Sequence, residues 1–268
     1  MPTNEQRRQT AKRKLERQLE NRAERARKQR IWAISGVAVV AVVAAVAITA
    51  WFAINKGDKP TDQAAPAPSA GEVECTYPAA GSAAKKVDPP RSGKIPNTPA
   101  QISMSMKTNQ GNIGLELDNA RATCTVNSFV SLAQKGFFDN TTCHRITGGG
   151  QLSVLQCGDP TGTGTGGPGY QFTDEYPVTP GDSSSSPIDY PAGTLAMANS
   201  GPNTNGSQFF MVYADSKLPP NYTKFGTIDK TGLDTLAKIA KNGIKPGARG
   251  SSDGEPAQEV KIIDLQLD

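Results

Sequence analysis

The sequence predicts a mainly β domain with two helices, a barrel or a sandwich, preceded by one transmembrane helix. Three observations carry this. Short apolar stretches separated by turn residues recur from residue 102 to the C-terminus, a helical period shows there at only two places, and residues 31–54 form an unbroken uncharged run.

The first 30 residues carry 11 Lys/Arg against 4 Asp/Glu, and the rest of the chain carries 18 against 21. A basic tail is therefore joined to a mildly acidic body. The tail interleaves Arg and Lys with Leu15, Leu19, Ala23 and Ala26, a helical spacing, and reads as a topology determinant lying near anionic lipid or, alternatively, as a site for nucleic acid or a cytoplasmic partner. The body's charge argues against nucleic acid as a partner. Residues 31–54 are long enough to span a bilayer, and Trp32 and Trp51 suit its two interfaces. The run is longer than the apolar core of a cleaved signal peptide, so a retained signal-anchor is expected. The positive-inside rule then puts the N-terminus in the cytoplasm and residues 55–268 outside. Residues 55–100 are rich in Pro, Ala, Gly and Ser and read as a spacer without strands or helices.

Regular structure is expected from Ile102. Ile102, Met104 and Met106 alternate with polar residues, as do Ile113, Leu115 and Leu117 after a turn at residues 109–112, which makes a hairpin. Val126, Phe129, Val130 and Ala133 share one face of a helix capped by Thr123 or Thr125 and ended by Lys135 and Gly136. Short strands are expected near 142–146, 153–156, 194–197, 208–212 and 224–228. A second helix fits 233–241, with Leu233, Leu236, Ala237 and Ala240 inward and Asn242 and Gly243 as its stop. A last strand holds Val260, Ile262, Leu265 and Leu267, with an irregularity at Ile262 and Ile263.

The four cysteines, Cys75, Cys124, Cys143 and Cys157, all follow the apolar run. They show no zinc spacing, and an even number on the outer side suggests disulfides, with three pairings open. Cys143 and Cys157 sit on consecutive short strands, which favours a bridge between them; without it the four are buried thiols. Residues 162–167 formally satisfy GxGxxG, but Pro168 and Gly169 follow where a helix must start, so the segment reads as a loop rather than a dinucleotide site. His144 is the only histidine, no nucleophile elbow accompanies it, and a structural role facing away from Arg145 is expected.

Two stretches carry more. Gly193-Thr194-Leu195-Ala196-Met197-Ala198-Asn199-Ser200-Gly201-Pro202-Asn203-Thr204-Asn205-Gly206-Ser207-Gln208-Phe209-Phe210 joins two apolar strands through residues that accept unusual backbone angles, and Cys143-His144-Arg145-Ile146 precedes Leu155-Gln156-Cys157-Gly158-Asp159. Together they resemble the signatures of the cyclophilins, peptidyl-prolyl cis-trans isomerases, over residues 101–268. The resemblance implies a closed eight-stranded antiparallel β-barrel capped by two α-helices, a choice the strand pattern alone does not make. It implies isomerisation of X-Pro bonds, here in exported polypeptides, with no cofactor and no metal.

By the same resemblance Arg145 is the catalytic residue, stabilising the twisted imide. Phe210 is the floor of the proline pocket and Leu218 its wall. Gln156 and Gln208 bind the substrate backbone or orient Arg145, and Ala198, Asn199 and Ser200 offer an edge for the peptide, Asn199 through its main chain. The sequence also departs from the family. Ten residues lie between Arg145 and Gln156, about three more than usual. Ser153 and Val154 stand where a Phe-Met pair is usual, Lys217 where many members have Trp, and Tyr222 where the pocket histidine is expected. These changes imply weak cyclosporin binding. They also leave open a non-catalytic module that binds proline-containing polypeptides on the same fold.

Overall fold

The computed structural model describes residues 70–178, 186–247 and 250–268. The expected basic tail (1–30) and transmembrane helix (31–54) lie outside the described residues, as do residues 55–69 of the expected spacer. Among the described residues no helix is long and apolar enough to cross a membrane.

The expected hairpin is β3 (Gln101–Thr108) and β4 (Gly111–Asp118), and its alternation holds. Met104 and Met106 are buried opposite Leu115 and Ile113. Among the described residues this hairpin belongs to an antiparallel ladder of eleven strands. Its order is β13 (Ile244–Gly247), β14 (Gly250–Pro256), β6 (Arg145–Thr147), β7 (Val154–Cys157), β10 (Phe209–Val212), β9 (Thr194–Met197), β12 (Lys224–Ile228), β4, β3, β15 (Lys261–Leu267) and β5 (Thr141–Thr142). The ladder has two ends and eleven members where a closed ring of eight was expected. One run of chain explains most of the difference. Thr141 and Thr142 pair with β15, whereas Arg145 and Ile146 pair with β7, so positions far apart in the ladder are joined through Cys143 and His144 alone. The sheet must curl back toward itself there. The expected irregularity in the last strand is a register shift between Ile262 and Asp264.

Helix α1 (Thr123–Gln134) packs into the curl. Phe129 stands 5.0–5.2 Å, centroid to centroid, from Phe138, Phe209 and Phe225. The helix starts at Thr123, so neither threonine caps it, and Ala122 at the N-cap supplies no side-chain acceptor. Glu175 supplies it from another loop: its Oε1 accepts from Cys124 N at 2.9 Å, and its Oε2 from Thr125 N at 2.7 Å and Thr125 Oγ1 at 2.6 Å. Burial nonetheless holds this carboxyl above its usual range, against the pull of those donors.

Helix α2 (Lys230–Lys241) starts three residues earlier than expected, because the Asp229 side chain caps it by accepting from Gly232 N at 2.6 Å. Its inward face is Gly232, Leu236 and Ile239, with Leu233 and Ala240 half-buried against the core as expected; Ala237, expected inward, is exposed.

Residues 70–100 differ most from expectation. β1 (Glu72–Cys75) and β2 (Gly93–Pro96) form an antiparallel ribbon. A disulfide between Cys75 and Cys124 fastens it to α1, and Tyr77 Oη donates to Cys124 O at 2.7 Å. The second disulfide is the expected one, between Cys143 and Cys157. A further ribbon, β8 (Ile188–Tyr190) with β11 (Ser216–Leu218), was not expected either; Ile188, Tyr190 and Leu218 belong to a second, smaller apolar cluster outside the main core.

Candidate active site

Strand β10 separates the two clusters. Phe209 and Met211 enter the main core, while Phe210 and Val212 enter the smaller one, as the two-residue period of a strand requires. The register then lines up a row across the sheet. Arg145 lies opposite Gln156, Gln156 opposite Phe210, and Phe210 opposite Ala196. The three extra residues between Arg145 and Gln156 do not disturb this pairing, since residues 148–153 absorb them between β6 and β7. The row opens on a cleft of about 1350 Å³.

At one end of the row Arg145 is held on two sides. Its Nε donates to Asp253 Oδ1 at 2.7 Å and its Nη2 to Asp253 Oδ2 at 2.8 Å, a bidentate fork. Its Nη1 donates to Gln156 Oε1 at 3.0 Å. One N–H on each Nη atom remains. Gln156 Nε2 donates to Gln208 Oε1 at 2.9 Å, and Gln208 Nε2 donates to the carbonyls of Gly164 and Gly166, both at 3.0 Å. The two glutamines thus form a relay of hydrogen bonds from Arg145 to the glycine loop.

That loop, residues 162–167, is clamped from its other side by Asp159. Its Oδ2 accepts from Gly164 N at 2.6 Å and Gly166 N at 3.0 Å, and its Oδ1 from Thr161 N at 2.7 Å. Burial alone would raise the Asp159 carboxyl, but the donors of Gly166, Thr161 and Gly164 outweigh it and hold it below its usual range. A Cβ at Gly166 would stand 2.0 Å from Asp159 Oδ1, so only glycine lets the clamp close. His144 lies under the loop, with both ring nitrogens buried and unpartnered. Desolvation lowers its pKa; the Asp159 carboxylate raises it and Arg145 lowers it further, and the imidazole stays neutral. It borders the cleft and packs beneath Gly164, consistent with the structural role expected of it.

At the other end Phe210 forms the floor of an apolar pocket. Tyr222 stands edge-on to it at 5.9 Å, and Val154, Leu218 and Leu152 join the same cluster. Ser153 is drawn away instead, its main chain bonded to Ser216 Oγ and Tyr213 N. Lys217 pairs with Asp189 and is exposed. Along the rim, Ala198 N is taken by Gln208 O and Ser200 N by Thr204 Oγ1. The Asn199 side chain ties the rim to Asn221 O at 2.6 Å, and among the described residues the Asn199 main chain makes no hydrogen bond. Ala198 and Ser200 thus have their N–H groups committed, and Asn199 does not.

Sequence reasoning missed Asp253, Leu152 and residues 80–82, which also line the cleft. Asp253 sits in a Gly/Ser-rich stretch that reads as a turn, and no local pattern marks it. Among the described residues no cluster of His, Cys, Asp and Glu is placed to hold a metal ion.

A family model described as cyclophilin type peptidyl-prolyl cis-trans isomerase/CLD matches residues 103–267. A Mycobacterium leprae protein called probable peptidyl-prolyl cis-trans isomerase B is 55% identical, with 100% of both chains covered. A Mycobacterium tuberculosis protein of the same name is 54% identical over 100% of this chain and 95% of its own. A solved Cryptosporidium parvum cyclophilin type peptidyl-prolyl cis-trans isomerase superposes with a TM-score of 0.52 at 31% identity, over 63% of this chain and 98% of its own. The same protein was also solved in the presence of the dipeptide Ala-Pro.

Proposed function

The chain belongs to the cyclophilin-type peptidyl-prolyl cis-trans isomerases, and on that premise we propose that Arg145 accelerates rotation about X-Pro bonds in polypeptides delivered outside the membrane. The enzyme is a peptidyl-prolyl cis-trans isomerase. The observation that carries the role of Arg145 is its guanidinium, locked between Asp253 and Gln156 in one row with Phe210.

The chemistry follows from the bond. Amide resonance sets a barrier of about 18–20 kcal/mol, and twisting localises a lone pair on the proline nitrogen. The apolar pocket of Phe210, Val154, Leu152, Leu218 and Tyr222 takes the proline ring, and the Asn199 main chain pairs with the substrate backbone. An N–H of Arg145 then donates to the nitrogen better in the twisted state than in the planar one. This is preferential binding of the transition state with no nucleophile and no proton transfer. Asp253 and the glutamine relay fix the donor direction beforehand, so no reorganisation accompanies the rotation. The Ala-Pro dipeptide used with the Cryptosporidium relative supports proline-containing polypeptide as the substrate class.

The anchored, extracytoplasmic location is part of the same reading. It is supported by the uncharged run at residues 31–54, the basic tail before it, and two disulfides in the domain after it. Externally added protease should digest the domain on intact cells; protection of the domain until lysis would place it inside. The catalytic reading is tested with Arg145→Ala and a proline tetrapeptide. Removing a transition-state donor should lower kcat/KM by roughly a hundredfold or more, and an unchanged rate would end the assignment.

A further inference from the structure

The matched family region begins at residue 103, yet part of the cleft wall is built by residues before it. Residues 78–84 run beside the glycine loop. Gln171 N donates to Pro78 O at 3.0 Å, Ala80 N to Gly169 O at 2.9 Å, and Ala84 N to Gly167 O at 2.8 Å. Ala83 and Ala84 press on the loop so closely that a Cβ at Gly169 or Gly166 would meet them at 3.0 Å. The segment cannot swing away easily. The Tyr77 ring packs edge-on against Tyr170 and Phe172 at 5.7 and 5.6 Å, and the disulfide between Cys75 and Cys124 fixes its base.

Between Ala80 and Ala84, Gly81 and Ser82 have no hydrogen-bond partner among the described residues, although both line the cleft. A Cβ at Gly81 would meet nothing within 4 Å, and its φ of +67° suits glycine. Two residues with free main-chain groups and almost no side chain thus face the cleft from a rigid support. Such an edge recognises an extended polypeptide through its backbone, with little regard to side chains.

We infer that Gly81 and Ser82, with the glycine loop beneath them, form a subsite for one flank of the substrate polypeptide, away from the proline pocket. It rests on the isomerase reading above. The subsite makes the enzyme favour prolines embedded in long unfolded segments over those in short peptides, with little discrimination among the flanking side chains.

The test uses the full chain and three X-Pro peptides: a tetrapeptide, one lengthened by four residues before the X-Pro bond, and one lengthened by four after it. The readout is the ratio of kcat/KM for a lengthened peptide to that for the tetrapeptide, which loss of folded enzyme cannot change. One lengthened peptide should gain about fivefold or more, the worth of one or two hydrogen bonds, and Ser82→Trp should abolish the gain. Ser82→Glu gives an independent reading: the gain should become larger for a Lys-containing flank than for an Asp-containing one. No gain on either flank, or a gain that both variants leave intact, overturns the subsite while turnover of the tetrapeptide keeps the isomerase reading. No turnover of any peptide overturns both.

Discussion

Asp253 grips Arg145 through both carboxylate oxygens, at 2.7 and 2.8 Å, across 108 residues of sequence. The pair turns a flexible cation into a donor with a set plane, and with Gln156 taking a third N–H, two N–H groups of the guanidinium remain uncommitted. Asp253→Asn keeps the shape but replaces one acceptor by an N–H that faces the guanidinium. We expect kcat/KM on a proline tetrapeptide to fall by about tenfold to a hundredfold, as misplacement of a catalytic group does. Thermal melting should change little, because the pair lies in a cleft and neither partner belongs to the apolar core. Wild-type activity in this variant would show that Gln156 alone positions Arg145.

His144 sets a pH dependence of stability but not of catalysis. Burial lowers its folded-state pKa, so the folded protein keeps it neutral where the unfolded chain, titrating near 6.5, takes up a proton. Its contribution is therefore constant above that value. It is lost as pH falls from about 6.5 toward the folded pKa, with a slope of up to about 1.4 kcal/mol per pH unit. His144→Leu removes two unpartnered nitrogens and should flatten the difference in urea stability between pH 7.5 and pH 5.5. A slope that survives the change would assign it to other groups. Activity should stay nearly level from about pH 6 to pH 8, because arginine does not titrate there. A bell-shaped rate profile centred near neutrality would point to His144 as an acid or base.

The disulfide between Cys143 and Cys157 ties the run just before β6 to the end of β7, beside the pairing of Arg145 with Gln156. It closes a short loop across a sequence separation of 14, so converting both cysteines to serine should cost about 3 kcal/mol in chemical denaturation. Unfolding the wild type in reductant should cost more, because the bridge between Cys75 and Cys124 is opened as well. Equal stability with and without reductant would mean that the bridge does not form in solution.

Cyclosporin should inhibit weakly. Lys217 is exposed and paired with Asp189 where many relatives place Trp, and Ser153 turns its main chain to Ser216 and Tyr213 rather than filling the pocket. Lys217→Trp supplies an aromatic wall and an N–H donor at the rim and should tighten inhibition by roughly tenfold, the effect of one good anchor. Tight inhibition of the wild type in a competition assay would show that the pocket needs neither aromatic.

What the sequence by itself determined is whatever is local. The alternation from Ile102 to Leu117 and the period through Val126 and Phe129 reflect side chains that must reach one core from a strand or a helix. The order of Arg145, Gln156, Gln208 and Phe210 was readable because these residues lie in short stretches whose neighbours carry their own signal. Tertiary structure decided the rest. Asp253 reaches Arg145 only because β14, a Gly/Ser-rich run with no strand signature, adds its backbone to β6. Residues 72–96 looked like a spacer, and become part of the domain through a disulfide and the backbone bonds of residues 78–84 to the glycine loop. Thr123 and Thr125 looked like caps and were displaced by Glu175, 50 residues away from Thr125. In each case the deciding bond joins main chain or a lone polar group to something distant in sequence. Such bonds leave no periodicity or composition behind for a sequence to show.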